Sequence, residues 1–246
     1  MINPKIGKLM VFKQPSELAQ FAAQHIICLA KEAIEHQDRC TLVLAGGTTP
    51  KAVYELLADH FSKEIEWNKV FLFLGDERFV PNDHKDSTYL MVKNSLLNRI
   101  TIPAKNIFPV PTFASSVDEA ARLYNSTIVE FFGNSTPKFD LVLLGMGPDG
   151  HTASLFPTSP TLISKNLVAA ETNSPKPPLQ RITLTYRAFN GADNIVFMIT
   201  GADKAHTLRE VLGARQDFHR LPAQGIRPHD ERLLWLVDKE AASQLD

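Results

Sequence analysis

Cysteine is scarce in this chain: Cys28 and Cys40 are the two present in 246 residues, and they do not have the spacing of a metal site. Both fall within or beside apolar segments and are expected to be reduced core residues. An excess of charge is missing as well. Lysine and arginine number 26 against 27 acids, a formal net charge of -1, with no run of like sign. Nucleic acid, which needs clustered lysine and arginine, is therefore not an expected partner. No apolar run approaches the roughly 20 residues that span a bilayer. Met1 to Phe12 also lacks the charged, apolar and small-residue order of a signal peptide. A cytoplasmic protein with no membrane partner is expected.

Several catalytic signatures are absent too. No histidines are arranged as HExxH, no G-x-S-x-G nucleophile elbow occurs, and the P-loop and dinucleotide glycine spacings are missing. What is present is an ordinary globular composition, 44% apolar and 22% charged, long enough to bury a substantial core. With no internal repeat and no linker, residues 1–246 are read as a single domain.

Strand-like and helix-like patterns alternate almost throughout. Lys8 to Phe12, Thr41 to Ala45, Val70 to Leu74, Leu141 to Leu144, Ile195 to Thr200 and Leu233 to Val237 read as strands, most of them continuous apolar runs suited to a parallel sheet. A helix from Ser16 places Leu18, Ala22, Ile26, Leu29 and Ala33 on one face, with Ser16 as its cap. Further helices are predicted through Val53 to Leu57, over Ser87 to Leu97, and from Val117 to Phe131. Asn173 to Pro178, rich in proline and serine, is predicted to be a loop. This order points to an α/β fold with a mainly parallel sheet and helices on both faces. In such sheets ligands bind beyond the carboxyl ends of the strands, so the loops after Ala45, Leu74 and Leu144 should converge.

Each of these loops carries chemistry beside a plainer explanation. Gly46-Gly47-Thr48-Thr49-Pro50 lets the backbone approach phosphate or sugar oxygens closely. The same residues also make a tight βα turn with Thr49 as N-cap and Pro50 in the first helical position. In Gly75-Asp76-Glu77-Arg78, Arg78 offers a rigid fork to a carboxylate, a phosphate or a developing oxyanion. Asp76 suits a substrate hydroxyl or a tether for Arg78. The stretch Gly145-Met146-Gly147-Pro148-Asp149-Gly150-His151 places a histidine after three glycines and an acid, where a short helix is expected to begin. His151 is the candidate general base, and Asp149 either orients it or shapes the loop. Arg181, at the start of a strand, and Lys204, after Thr200-Gly201-Ala202-Asp203, are cations that a phosphorylated ligand needs.

On these blocks, together with Pro177-Pro178-Leu179-Gln180-Arg181-Ile182-Thr183-Leu184 and Leu234-Trp235-Leu236-Val237-Asp238, the chain resembles the 6-phosphogluconolactonases over nearly its whole length. The resemblance implies a modified Rossmann-like α/β sandwich and hydrolysis of 6-phosphoglucono-δ-lactone in the pentose phosphate pathway, with no metal or organic cofactor. It implies His151 as base beside Asp149, with Arg78 and glycine-loop N–H groups at the oxyanion or a hydroxyl. Arg181 and Lys204 would hold the phosphate, helped by Gly46, Gly47 and Thr48, with Asp76 and Gly147 also at the substrate. Two departures stand out: Ala45 where the family usually has serine, and Ser87-Thr88-Tyr89 where it usually has Ser-Asn-Tyr. One rival is the similar glucosamine-6-phosphate deaminases, which typically carry a glutamate five residues after the histidine, where this chain has Phe156, and a tyrosine in place of Arg78. A non-catalytic phosphosugar sensor is the other, and it would have no need of the complete histidine loop.

Overall fold

Buried apolar segments built of leucine, valine, isoleucine and phenylalanine form the centre of the fold. The computed structural model describes residues 7–133, 137–228 and 232–245. Strands β1 (Lys8–Phe12), β2 (Cys40–Leu44), β3 (Val70–Leu74), β5 (Ile107–Phe108), β6 (Leu141–Leu144), β9 (Asn194–Ile199) and β10 (Leu233–Asp238) pair in the order β1-β10-β9-β6-β2-β3-β5. Every pairing in this sheet is parallel. β2 and β6 are buried along their whole length, as strands covered on both faces must be.

A second sheet was not expected. β4 (Asp76–Arg78), β7 (Val168–Glu171) and β8 (Arg181–Leu184) pair antiparallel in the order β4-β8-β7. Asp76 to Arg78, read from sequence as part of a loop, is therefore a short strand. Three consecutive charged residues give no strand pattern, and only the facing edge of β8 supplies the hydrogen-bonding partners that make one.

Helices α1 (Pro15–Gln37), α2 (Thr48–His60), α3 (Thr88–Ser95), α4 (Val117–Phe131), α5 (Tyr186–Phe189) and α6 (Ala205–Leu212) complete the fold, packed on both faces of the parallel sheet. α1 buries Leu18, Ala22 and Ile26 as expected, and also Ala19, Ala23, Ile27 and Ala30, so its apolar stripe is broader than predicted. Its start lies one residue earlier than expected. Pro15 takes the first turn, and Ser16 is not the cap. Glu17 reaches back to accept from the Lys13 N–H at 3.0 Å. Cys40 is buried, but Cys28 is exposed, two residues along the helix from inward-facing Ile26, which corrects its placement in the core. On the other side of the molecule Phe73 meets Phe108, Phe131 and Phe139 at centroid separations of 4.5, 5.2 and 5.2 Å. Each such pair adds roughly 0.5–1.5 kcal/mol beyond the area it buries, which clamps α4 against the sheet.

Two buried tyrosines then pin the strand ends that bear the loops. The Tyr54 hydroxyl on α2 donates to the Ala45 carbonyl and accepts from the Ala45 N–H, both at 2.9 Å. Tyr124 on α4 does the same for Leu74, accepting at 2.8 Å and donating at 3.1 Å. Burial pushes both phenols above their ordinary pKa, so they remain protonated donors.

Candidate active site

The parallel sheet changes its direction of growth at β2. β3 and β5 are added on one side of it, and β6, β9 and β10 on the other. Loops leaving the carboxyl ends diverge at such a point and leave a crevice between them. A cleft of ≈ 240 Å³ opens there. Gly46, Gly47 and Thr48 line it after β2, Asp76 and Arg78 from β4, Gly147 and His151 after β6, Arg181 from β8, and Lys204 after β9. Asp149 is not in the cleft wall; it pairs with His151, which is.

The loop after β6 does not start a helix, contrary to expectation. It closes on itself instead, with Gly147 N–H donating to the His151 carbonyl at 2.9 Å and Gly150 N–H to the Gly147 carbonyl at 3.0 Å. Thr152 Oγ1 donates back to Gly145 O at 2.8 Å, and Ser154 Oγ to Asp76 Oδ2 at 2.6 Å. These side-chain and turn bonds occupy the groups that a helical ladder would use. Asp149 Oδ1 accepts from His151 Nδ1 at 2.5 Å and from the His151 N–H at 3.3 Å. Nδ1 is thereby assigned the proton, which leaves Nε2 as the lone-pair nitrogen of a ring at the cleft wall. Partial burial pushes the Asp149 carboxyl upward. The hydrogen bond and charge of His151 outweigh it, and the net pKa lies below the ordinary value.

The first loop also differs in detail. α2 begins at Thr48, with Gly47 in the cap position at φ 106°, a conformation that favours glycine. Thr49 is not the cap. Its hydroxyl pairs with that of Thr200 at 2.8 Å and so ties the first turn of α2 to the end of β9. The free N–H groups at the start of α2 therefore provide the anion-favouring helix end of this cleft.

β4 and β8 bring Arg78 and Arg181 directly opposite one another. Like charges in that relation are destabilising in an empty sheet and favourable around an anion. Arg78 donates from Nη1 to the Asp86 carbonyl at 2.6 Å, while its Nε is buried without a partner. Arg181 donates from Nε to Pro178 O at 3.1 Å and from Nη2 to Lys176 O at 3.0 Å. Burial pushes its guanidinium below the ordinary pKa; Asp76 opposes that shift and Arg78 adds to it. Lys204 pairs with Asp203 at 2.5 Å. Asp76 does not tether Arg78: it accepts from Ser154 Oγ instead.

Glu77, to which the sequence pattern assigns no role, has one in the structure. Fully buried, it accepts from the N–H groups of Arg78, Thr88 and Tyr89, each at 2.7 Å, and from Ser87 Oγ at 2.9 Å. It thus satisfies the first two N–H groups of α3, beside the cap residue Ser87, whose Oγ accepts from Leu90 N–H at 3.1 Å, and fastens that helix to β4. Burial pushes its pKa up, against the pull of these four donors. The available signal was an acid just before a basic residue at a strand end, which sequence reasoning could not separate from a surface turn. Among the described residues, no group of three or more histidine, cysteine, aspartate or glutamate side chains converges to hold a metal ion, and no helix is long and apolar enough to cross a membrane. His229 lies outside them.

The family described as glucosamine-6-phosphate isomerases/6-phosphogluconolactonase matches residues 13–235 of this chain. A 6-phosphogluconolactonase of Synechocystis sp. is 39% identical over 218 residues, 87% of this chain and 88% of that protein. The crystal structure of a 6-phosphogluconolactonase from Thermotoga maritima superposes with a TM-score of 0.83 at 35% identity, covering 94% of this chain and 99% of that one. A monomeric glucosamine-6-phosphate deaminase superposes at 0.80 with 22% identity, covering 96% and 99%, and shares the fold. The chain belongs to the glucosamine-6-phosphate isomerase/6-phosphogluconolactonase family.

Proposed function

We propose that this chain hydrolyses 6-phosphoglucono-δ-lactone to 6-phosphogluconate in the cytoplasm, as one α/β domain serving the pentose phosphate pathway. The observation that carries this reading is His151, hydrogen-bonded to Asp149, sharing one small cleft with Arg78, Arg181 and Lys204, in a chain whose lactonase relatives match it almost throughout.

A lactone carbonyl needs an activated water, a place for the oxyanion, and a grip on the rest of the substrate. In the proposed mechanism His151 Nε2 accepts a proton from water as the water oxygen bonds to the lactone carbon. Asp149 holds the imidazole in the required tautomer and balances the charge of the imidazolium. The negative charge that develops on the carbonyl oxygen meets Arg78 or N–H groups of the glycine loop. The tetrahedral intermediate collapses by breaking the bond from that carbon to the ring oxygen, which recovers the proton from His151 Nε2. The new carboxylic acid releases its own proton to solvent. Arg181, Lys204 and the Gly46-Gly47-Thr48 start of α2 bind the phosphate, with Asp76 facing a sugar hydroxyl. Binding energy from the phosphate thereby fixes the carbonyl against His151. Phe156 packs against the imidazole, its centroid 4.7 Å away. That place holds no second acid of the kind that expelling ammonia from an amino sugar requires, which favours the lactonase over the deaminase.

Purified protein is expected to open freshly made lactone faster than the spontaneous reaction. His151→Ala is expected to lose about 10²–10⁴-fold in kcat. Absence of acceleration, or full activity in His151→Ala, would overturn the reading.

A further inference from the structure

His151 and Arg181 come from different segments of the chain, yet both rest on one side chain. The Phe156 ring lies 4.7 Å from the His151 imidazole between centroids, the planes tilted by 43°. The guanidinium carbon of Arg181 stands over the same ring, 5.6 Å from its centroid. Phe156 is itself 3% exposed and is not part of the cleft wall, so it acts only through these neighbours.

Each neighbour is held incompletely without it. The imidazole is anchored at Nδ1 by Asp149, which fixes one edge of the ring and leaves its tilt to the groups packed on its faces. Its loop belongs to neither a helix nor a sheet. The Arg181 guanidinium donates to the loop carbonyls Pro178 O and Lys176 O. Among the described residues no carboxylate accepts a hydrogen bond from it; Arg78 opposite on β4 repels it, while Asp76 and Glu171, the latter opposite on β7, attract it without fixing its orientation. The negative face of an aromatic ring attracts a guanidinium, and its flat surface limits the tilt of an imidazole.

We propose that Phe156 is a positioning residue which sets the His151 imidazole and the Arg181 guanidinium at a defined separation. The group that activates water and the group that grips the substrate's anion are then registered on one ring. This rests on the lactonase reading above. Registration matters because a displacement of about 1 Å at a reacting centre costs on the order of 10²-fold in rate.

The test compares Phe156→Leu, which stays apolar and loses the aromatic face, with Phe156→Tyr, which keeps it. Leucine is expected to lower kcat about 10-fold and raise KM about 3–10-fold together, part of the loss in registration that a larger displacement would cause. Tyrosine is expected to recover most of both. A purely packing role would lower the melting temperature and leave kcat and KM unchanged in the folded fraction, and that result overturns the proposal. Because both changes disrupt one registration, the KM effects of Phe156→Leu and Arg181→Lys should combine to less than their product; a full product also counts against it. A measurement free of turnover stands beside these. Wild-type protein with labelled aromatic side chains should show nuclear Overhauser contacts from the Phe156 ring to both the His151 ring and the Arg181 Cδ protons. Contacts to one alone, or to neither, overturn the bridge even if the leucine variant does not fold. If wild-type protein fails to accelerate lactone opening while these contacts are present, the functional reading has failed and the bridge has not.

Discussion

A Cβ placed on Gly147 would lie 2.1 Å from both Cε1 and Nδ1 of His151 and 2.7 Å from Asp149 Oδ1. The imidazole thus occupies the space that any other residue would need, and the pair is built against bare backbone. Gly147→Ala is expected to push the ring off Asp149 and lower kcat about 10²-fold. KM, set by the cations elsewhere in the cleft, should move far less, and steady-state kinetics on a variant with an unchanged melting curve checks the split. Asp149 carries a pH signature of its own. Its carboxyl titrates lower in the folded chain than in the unfolded one. The stability this contributes is therefore present above the ordinary carboxylate range, near pH 4, and is lost as pH falls through the depressed value. Asp149→Asn should melt below wild type at neutral pH, with the two curves converging under strongly acidic conditions. A gap that persists undiminished there would contradict the assignment.

Among the elements, the strand ends matter more than the strands. Tyr54 and Tyr124 each satisfy both backbone groups of one residue, Ala45 and Leu74, just before the loops depart. Those groups are buried and would otherwise be unpaired. Tyr54→Phe leaves the ring in place and orphans both, so a loss of about 2–6 kcal/mol is expected, from roughly 1–3 kcal/mol for each unmet group. Urea unfolding measures it directly, and a loss within 0.5 kcal/mol, roughly that of a neutral surface change, would show that water replaces the hydroxyl. Glu77 has the corresponding role for α3, where one carboxylate collects four donors. These ties make the loops extensions of a rigid sheet, which a site needing sub-ångström placement requires.

For the whole molecule, the cleft exists because two sheets meet. The parallel sheet supplies the glycine loops, His151 and Lys204, while the three-stranded sheet supplies Asp76, Arg78 and Arg181. Facing arginines on β4 and β8 store an unfavourable interaction that a bound anion relieves. Product binding should consequently stabilise the entire fold. At 100 times Kd, 6-phosphogluconate adds about 2.7 kcal/mol, or roughly 5–10 °C in Tm for a chain of this size. Thermal melting with and without product reads this shift. Arg181→Ala should lose most of it at the same concentration, and an equal shift in that variant would remove Arg181 from the anion site.

Much of this protein was legible in the sequence because its signals are local. β1 and β3 match their predicted bounds, and α4 does too, since an uninterrupted apolar run or a three-and-four spacing is set by the segment's own residues. The site residues could be named because glycines, acids and a histidine gathered at strand ends, where an α/β sheet opens. The cleft brings together all but Asp149, which reaches it through its hydrogen bond to His151. What the sequence could not supply depends on pairing across long separations. Asp76 to Arg78 becomes a strand only because β8, about a hundred residues later, offers it an edge, and that register alone sets Arg78 against Arg181. The expected helix at His151 gave way to turns closed by Gly147 and side-chain bonds to Gly145 and Asp76. The tyrosines under the strand ends and the Phe156 ring shared by His151 and Arg181 belong to the same class. The sequence by itself determined most strands of the parallel sheet, the longer helices and the chemistry at the strand ends. The tertiary structure decided which groups face one another, because distance and orientation between remote segments arise only when the core packs.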